Sequence, residues 1–283
     1  MYPILQFAIG DFTIQIPSYT FFAAAGAITG AATALPFLKR AGLSLLGSLG
    51  MLLGMACFFL IGARLFNAAV NPAAYGGRLH IYSLQLTGLS LYGGVLGAML
   101  AFAVWTAVHR KSPWPILDAL VLPSAAAFAL ARIGCYLNGC CAGKATNSSM
   151  GVVFPAKQGG EPFTGILALI GKTSVAVYPT QLFEMSLALI GLIPVMWLYF
   201  LKKPRAGTVF LLYGIWFTAM RWAILPLRNL PYSGTITQVF LPLFYGGLII
   251  TGIILLWRTI GRKQEGRMQK TAGTGQFIRK PSQ

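Results

Sequence analysis

Long apolar runs separated by short polar clusters organise this sequence. Seven runs emerge: Tyr19 to Leu38, Leu43 to Val70, Leu89 to Val108, Ile116 to Leu137, Thr180 to Leu201, Thr208 to Leu227 and Ile236 to Trp257. Each is near the roughly 20 residues that an α-helix needs to cross a bilayer. Pro123 and Arg132 interrupt the fourth. The pattern predicts an all-α integral membrane protein with seven transmembrane helices, filling residues 1–260 and leaving no sizeable soluble domain. The longest connection, 138–179, exceeds what a plain connector needs, and such loops usually carry function. No internal repeat is visible, which gives little support to a transporter built from inverted repeats.

Composition sharpens this reading. Hydrophobic residues make up 56% of the chain and charged residues only 10%, against about 25% charged in soluble domains. Mean hydropathy is +0.70. A soluble chain this apolar could not cover its own surface. The first 19 residues lack a basic n-region and contain Pro3, Asp11 and Pro17, so no cleavable signal peptide is expected.

Charge sets the orientation. There are 22 Lys and Arg against 5 Asp and Glu, a net charge of +17. Most of the basic residues fall in alternate connections: Lys39 and Arg40, Arg110 and Lys111, Lys202, Lys203 and Arg205, then seven from Arg258 to Lys280. The other side holds Arg78, Lys144, Lys157, Lys172 and Arg228. The positive-inside rule then puts the N-terminus outside and the C-terminus in the cytoplasm. The basic tail, 261–283, is expected to be disordered or to lie on anionic lipid. No soluble basic face exists for nucleic acid, so none is expected as a partner.

Ionisable residues inside spans are expensive and point to function. Arg64, Arg132 and Arg221 lie within spans, Glu184 lies just inside one, and Arg228 follows two turns after Arg221. By the orientation above, all belong to outward-facing halves. Several guanidinium groups with few acids suggest an anionic ligand held in a planar, bidentate way. A phospholipid headgroup is the anion most available at that depth. The plainer alternative is snorkelling plus one structural Arg132–Glu184 pair, which would leave two arginines unpaired.

The densest segment runs Arg132-Ile-Gly-Cys-Tyr-Leu-Asn-Gly-Cys-Cys-Ala-Gly143. An Arg followed by an Asn138-Gly139 turn at a helix end suits an anion, with side-chain and backbone donors together. Cys135, Cys140 and Cys141 allow packing or a disulfide, or a thiol activated by Arg132. Without a paired Cys-x-x-Cys and with both histidines elsewhere, no metal site is expected. Cys57, in an apolar run, is expected to pack there.

These segments together resemble the prolipoprotein diacylglyceryl transferase family. Gly62-Ala-Arg64 resembles its Gly-Gly-Arg helix end, and Gly88 to Gly97 its Gly-x-Ser-x-His-Gly-Gly-x-x-Gly stretch. Arg132 to Gly143 matches the spacing of its Arg-x-Gly-Asn-x-x-Asn-Gly-Glu-x-x-Gly signature. Tyr178-Pro-Thr-Gln-Leu-Phe-Glu184 resembles its His-Pro-Ser-Gln-Leu-Tyr-Glu. Arg221 and Arg228 keep the spacing of two family arginines, and Gln238 stands where a late Gln is expected. There are departures. Tyr92 replaces the histidine of the glycine stretch, Cys135 an Asn, Cys140 a Glu, Tyr178 the histidine before the proline, and Leu225 a Glu between the late arginines.

The resemblance implies a multi-pass protein of the bacterial inner membrane and an enzyme without a cofactor. It would transfer a diacylglyceryl group from phosphatidylglycerol to the lipobox cysteine of a preprolipoprotein signal peptide, releasing glycerol 1-phosphate. Arg132 and Arg221 would bind phosphate as catalytic residues, and Tyr92 would stand near the acceptor thiol. Arg64, Asn138, Gly139, Gly143, Gln181, Glu184, Arg228 and Gln238 would shape the headgroup site. A related transferase with another acceptor, or a non-catalytic binder or transporter of anionic phospholipid, are the alternatives.

Overall fold

A computed structural model describes residues 4–9, 12–70, 90–154, 175–230 and 234–275, with backbone alone at 8, 9, 12, 70, 91, 92 and 261–275. In chain order the elements are β1 (Ile4–Ile9), β2 (Phe12–Pro17), α1 (Ser18–Arg40), α2 (Leu45–Val70), α3 (Leu91–Val108), α4 (Pro113–Leu137), β3 (Val152–Val153), β4 (Ala176–Val177), α5 (Thr180–Trp197), α6 (Thr208–Ile224) and α7 (Leu241–Gly275). A π-helical turn, Leu198–Lys202, extends α5, and another, Ile236–Phe240, leads into α7.

The chain is mostly helical. Six helices among the described residues are long and apolar enough to cross a membrane: Ser18–Arg40, Leu45–Ala69, Pro113–Leu137, Thr180–Lys202, Thr208–Leu227 and Ile236–Ile260. They fall on six of the seven expected spans. The remaining expected span falls on α3, whose described apolar part, Gly93–Val108, is shorter. Many large apolar side chains stand exposed on these helices, Leu46, Leu53, Ile193, Leu243 and Trp257 among them. Lipid suits such a surface, because only in water does it need polar cover. Cys57 corrects one expectation: it is exposed on α2. The helix of α7 runs on to Gly275, into the basic segment that starts at residue 261.

The apolar pattern does not reveal the hairpin at the start. β1 and β2 pair antiparallel from Ile4↔Pro17 to Ile9↔Phe12, and Ile4, Phe7 and Ile14 remain exposed on it. The alternation of Thr13 and Gln15 with Phe12, Ile14 and Ile16 marks a strand, but it spans only six residues and is lost in a search for runs of membrane-crossing length.

The chain divides into two compact units, residues 31–120 and the rest, with the divisions inside α1 and α4. In the 31–120 unit, α2 and α3 pack closely. A Cβ on Gly62, Gly93 or Gly97 would strike the backbone of the facing helix, the small-residue contact that lets membrane helices approach. Ser90 N–H donates to Ala63 O across this contact, at 3.0 Å.

In the other unit, Val121 and Ala125 of α4, Leu192 and Val195 of α5, and Val209 and Tyr213 of α6 form a buried cluster. A second cluster, Ala188, Met220 and Ile224, continues it towards the functional residues. Trp216 Nε1 donates to Leu187 O at 2.8 Å, and Tyr213 Oη to Ala188 O at 3.3 Å, tying α6 to α5. Gly134 lets α4 meet the start of α1: a Cβ there would lie 2.8 Å from Phe22 Cβ and 3.3 Å from Tyr19 Cα. Gly134→Leu is expected to separate these helices at a cost of about 1–3 kcal/mol. A drop in melting temperature in detergent would register it, and an unchanged melting temperature would contradict the close packing.

Candidate functional site

Three elements converge on one carboxylate. α4 ends with Arg132 one turn and a half before its last residue; α5 starts at Thr180 and carries Glu184; α6 ends with Arg221, followed by a 3-10 turn, Leu225–Leu227, and then Arg228. Glu184 is 1% exposed. Its Oε2 lies 2.7 Å from Arg132 Nη2, and its Oε1 lies 2.6 Å from Arg221 Nη1 and 3.0 Å from Arg228 Nη1. The guanidinium of Arg132 also sits over the Phe128 ring at 4.8 Å, a cation–π contact.

This sets aside the plainer alternative of a single Arg132–Glu184 pair with two arginines left unpaired. Arg221 and Arg228 take the same carboxylate. Three cations on one anion still leave two positive charges in excess. Burial lowers the pKa of Arg228, and repulsion from Arg221 adds to the effect, with Glu184 working against it. A further anion would relieve that repulsion in a low-dielectric place.

The segment after α4 is held by backbone bonds that need no particular side chains of its own. Asn138 N–H donates to Gly134 O, Gly139 N–H to Tyr136 O and Cys140 N–H to Cys135 O, closing the helix, with Gly139 at φ 70°. Gly143 N–H donates to Tyr178 O at 2.8 Å and Lys144 N–H to Leu227 O at 2.8 Å. Gly143 bridges Arg228, and Ala145 bridges Val177. A Cβ on Gly143 would meet Leu227 O at 2.5 Å, and Thr180 Cγ2 and Tyr178 Cβ at 2.8 Å. Only glycine fits where these three strands of chain cross.

The first turn of α5 clamps the cysteine turn. Gln181 Nε2 donates to Cys140 O at 2.6 Å and Thr180 Oγ1 to Cys141 O at 3.0 Å. Gln181 is fully buried, and its Oε1 has no hydrogen-bond partner among the described residues. Its amide orientation is fixed by the Cys140 carbonyl, so Oε1 is an acceptor awaiting a donor. Thr180 is a residue that sequence reasoning missed, although its place next to Gln181 in the matched segment offered a signal.

The cysteines are free thiols, with their three sulfurs within 4.8 Å of one another. Cys141 has φ 61°, rare for a residue other than glycine. Hydrogen bonds from Cys135 and Cys140 lower its pKa, and Arg132 and Arg228 add to that against the effect of burial.

Gln238 lies elsewhere in the same unit. With Lys144, Ala219, Trp222, Ala223, Leu225, Pro226, Thr237 and Pro242 it lines a mostly apolar groove of about 660 Å³. Lys144 and Trp222 are further residues not singled out by the sequence. Arg64 belongs to the 31–120 unit and is 7% exposed. The side chain of Tyr92 lies outside the described residues.

A model of the prolipoprotein diacylglyceryl transferase family matches residues 5–258. The chain belongs to this family. It is 31% identical over 185 residues to phosphatidylglycerol–prolipoprotein diacylglyceryl transferase 2 of Clostridium perfringens, covering 63% of this chain and 66% of that protein. It is 26% identical over 221 residues to the transferase of Pseudomonas entomophila, covering 76% and 75%. With that of Xanthomonas campestris it shares 27% identity over 222 residues, 73% of each chain. With six long apolar helices among the described residues and bacterial relatives, the chain is a multi-pass bacterial membrane protein.

Removing the central acid is the sharpest probe of the site. Glu184→Gln would leave three guanidinium groups facing one another without a counter-charge. Breaking a buried ion pair costs about 3–5 kcal/mol, so this variant is expected to melt at markedly lower temperature, with recovery on adding phosphate or a phosphate-bearing lipid. Wild-type melting in Glu184→Gln would remove Glu184 from its organising role.

Proposed function

We propose that the chain transfers a diacylglyceryl group from phosphatidylglycerol to the lipobox cysteine thiol of a preprolipoprotein, releasing glycerol 1-phosphate. Its relatives carry this activity in their names. The observation in the chain itself that supports the reading most is the excess of two positive charges around the buried Glu184.

The reaction needs what this site supplies. The acceptor thiolate attacks the diacylglyceryl carbon that carries the phosphate ester oxygen. A C–S bond forms, the C–O bond breaks, and the electron pair leaves on the phosphate of glycerol 1-phosphate, which takes up the thiol's proton. Negative charge grows on the phosphate as the bond breaks. Guanidinium groups fixed in advance stabilise that charge more than the ground state. Arg132 and Arg221 bind the phosphate, and Arg228, on the same carboxylate oxygen as Arg221, adds charge. Gln181 Oε1 accepts from a hydroxyl of the glycerol headgroup, while Asn138, Gly139 and Gly143 shape the turn around it. The groove beside Gln238, lined by Trp222 and Pro226, suits an acyl chain.

The same reading fixes topology. In the bacterial inner membrane the N-terminus and the loop 138–179 face outward, and Lys202, Lys203, Arg205 and the tail lie in the cytoplasm. Labelling of single introduced cysteines from outside is expected to reach the loop and not the tail. An externally labelled tail would place the arginines in the wrong leaflet.

Arg132→Lys and Arg221→Lys keep charge but lose the bidentate fork. Each is expected to lower the release of glycerol phosphate from phosphatidylglycerol by about 10²-fold or more, as for removing a donor to a developing oxyanion. Near-full turnover in both would make the arginines structural. Complementation of a strain depleted of its own transferase tests the acceptor: rescue supports lipoprotein, and failure at good expression supports another acceptor.

A further inference from the structure

We propose that Cys135, Cys140 and Cys141 form a binding site for a soft, thiophilic d10 metal cation, of the zinc or cuprous class. The sequence spacing argues against this, because it lacks paired Cys-x-x-Cys motifs. The fold overrides the spacing. Cys135 lies in the last turn of α4, and Cys140 and the left-handed Cys141 follow its end. All three sulfurs then lie within 4.8 Å of one another. With metal–sulfur bonds of about 2.3 Å, three thiolates around one ion sit about 3.8–4.0 Å apart, so a small contraction closes the site.

Three further observations favour a metal over mere packing. Cys140 and Cys141 are only half-buried, so an ion has a route in. Their carbonyls are held by Gln181 and Thr180, at 2.6 and 3.0 Å. That fixes the backbone that carries two of the ligands, the kind of outer support that metal sites depend on. The excess positive charge around Glu184 offsets a thiolate complex that carries net negative charge. Soft thiolate donors select this class of ion, and three of them leave a fourth position open. Binding displaces the thiol protons into solvent. A disulfide would use two of the sulfurs and leave the convergence of the third without a role.

Cadmium ion serves as the probe, on the reduced full-length protein in detergent. The expected result is one ion per chain, with ultraviolet thiolate-to-metal charge-transfer absorption. Cys135→Ser, Cys140→Ser and Cys141→Ser are each expected to weaken it by more than about 10-fold, and Cys57→Ser to leave it unchanged. Should a serine variant fold poorly, the wild-type protein alone decides. Loaded with cadmium, it is expected to shield three cysteines from an alkylating reagent and leave Cys57 reactive, as read by mass spectrometry. Absence of stoichiometric binding, equal alkylation of all four cysteines with and without the metal, or a disulfide within the trio that persists in reductant would each overturn the proposal.

Discussion

Three arginines from two helices and the turn after α6 converge on one buried carboxylate. Glu184 faces Arg132 from α4 and Arg221 and Arg228 from the end of α6. These residues are remote in sequence, and in lipid no water compensates them. Each arginine alone in the membrane would be expensive, and Glu184 alone equally so. Together they lower the cost, but incompletely, since the charges do not balance. A structure that only needed to hold its helices together would do better with one acid for each base, or with apolar packing of the same volume. The surplus makes sense as a place kept ready for an anion that is not part of the chain.

The backbone around the carboxylate does the positioning. Gly143 sits where Tyr178, Thr180 and Leu227 cross, and short ladders tie the cysteine turn to the start of α5 and to the turn before Arg228. The arginines therefore come from rigid ends of helices joined by hydrogen-bonded chain. That matters for a reaction helped mainly by charge in the right place, because donors that must reorganise lose most of their effect.

The sequence made the helices legible for a simple reason. A bilayer demands about 20 apolar residues per crossing, and no other constraint writes so plainly; the expected Thr180 to Leu201 and Thr208 to Leu227 sit on the helices Thr180–Lys202 and Thr208–Leu227. Shorter elements carry a fainter mark. In the hairpin of Ile4–Ile9 with Phe12–Pro17, Thr13 and Gln15 alternate with Phe12, Ile14 and Ile16, a period-2 signal that a search for 20-residue apolar runs passes over. The arginines and Glu184 were legible as a group because each is costly where it lies. Their sharing of a single carboxylate was not, since pairing across 37 and 44 residues depends on how helix ends meet. The convergence of the cysteines was hidden for a different reason: it rests on one left-handed residue, Cys141, for which side-chain type gives no warning.

The departures from the family pattern gain meaning from that geometry. Cys140 and Leu225 stand where the family carries carboxylates, and Leu225 is buried at 5% exposure. Losing two acids beside three arginines raises the positive excess, and burial alone would make that unfavourable. The pKa of Cys141 is lowered by hydrogen bonds from its neighbouring thiols and further by Arg132 and Arg228, so the same arginines favour its thiolate form. A thiolate spreads its charge over a large, polarisable sulfur and accepts weaker hydrogen bonds than a carboxylate does. It therefore competes less with a phosphate for the same guanidinium groups. Exchanging one carboxylate for a thiol at Cys140 and the other for the apolar Leu225 removes two competitors for the guanidinium groups and leaves the arginines freer to hold an incoming phosphate.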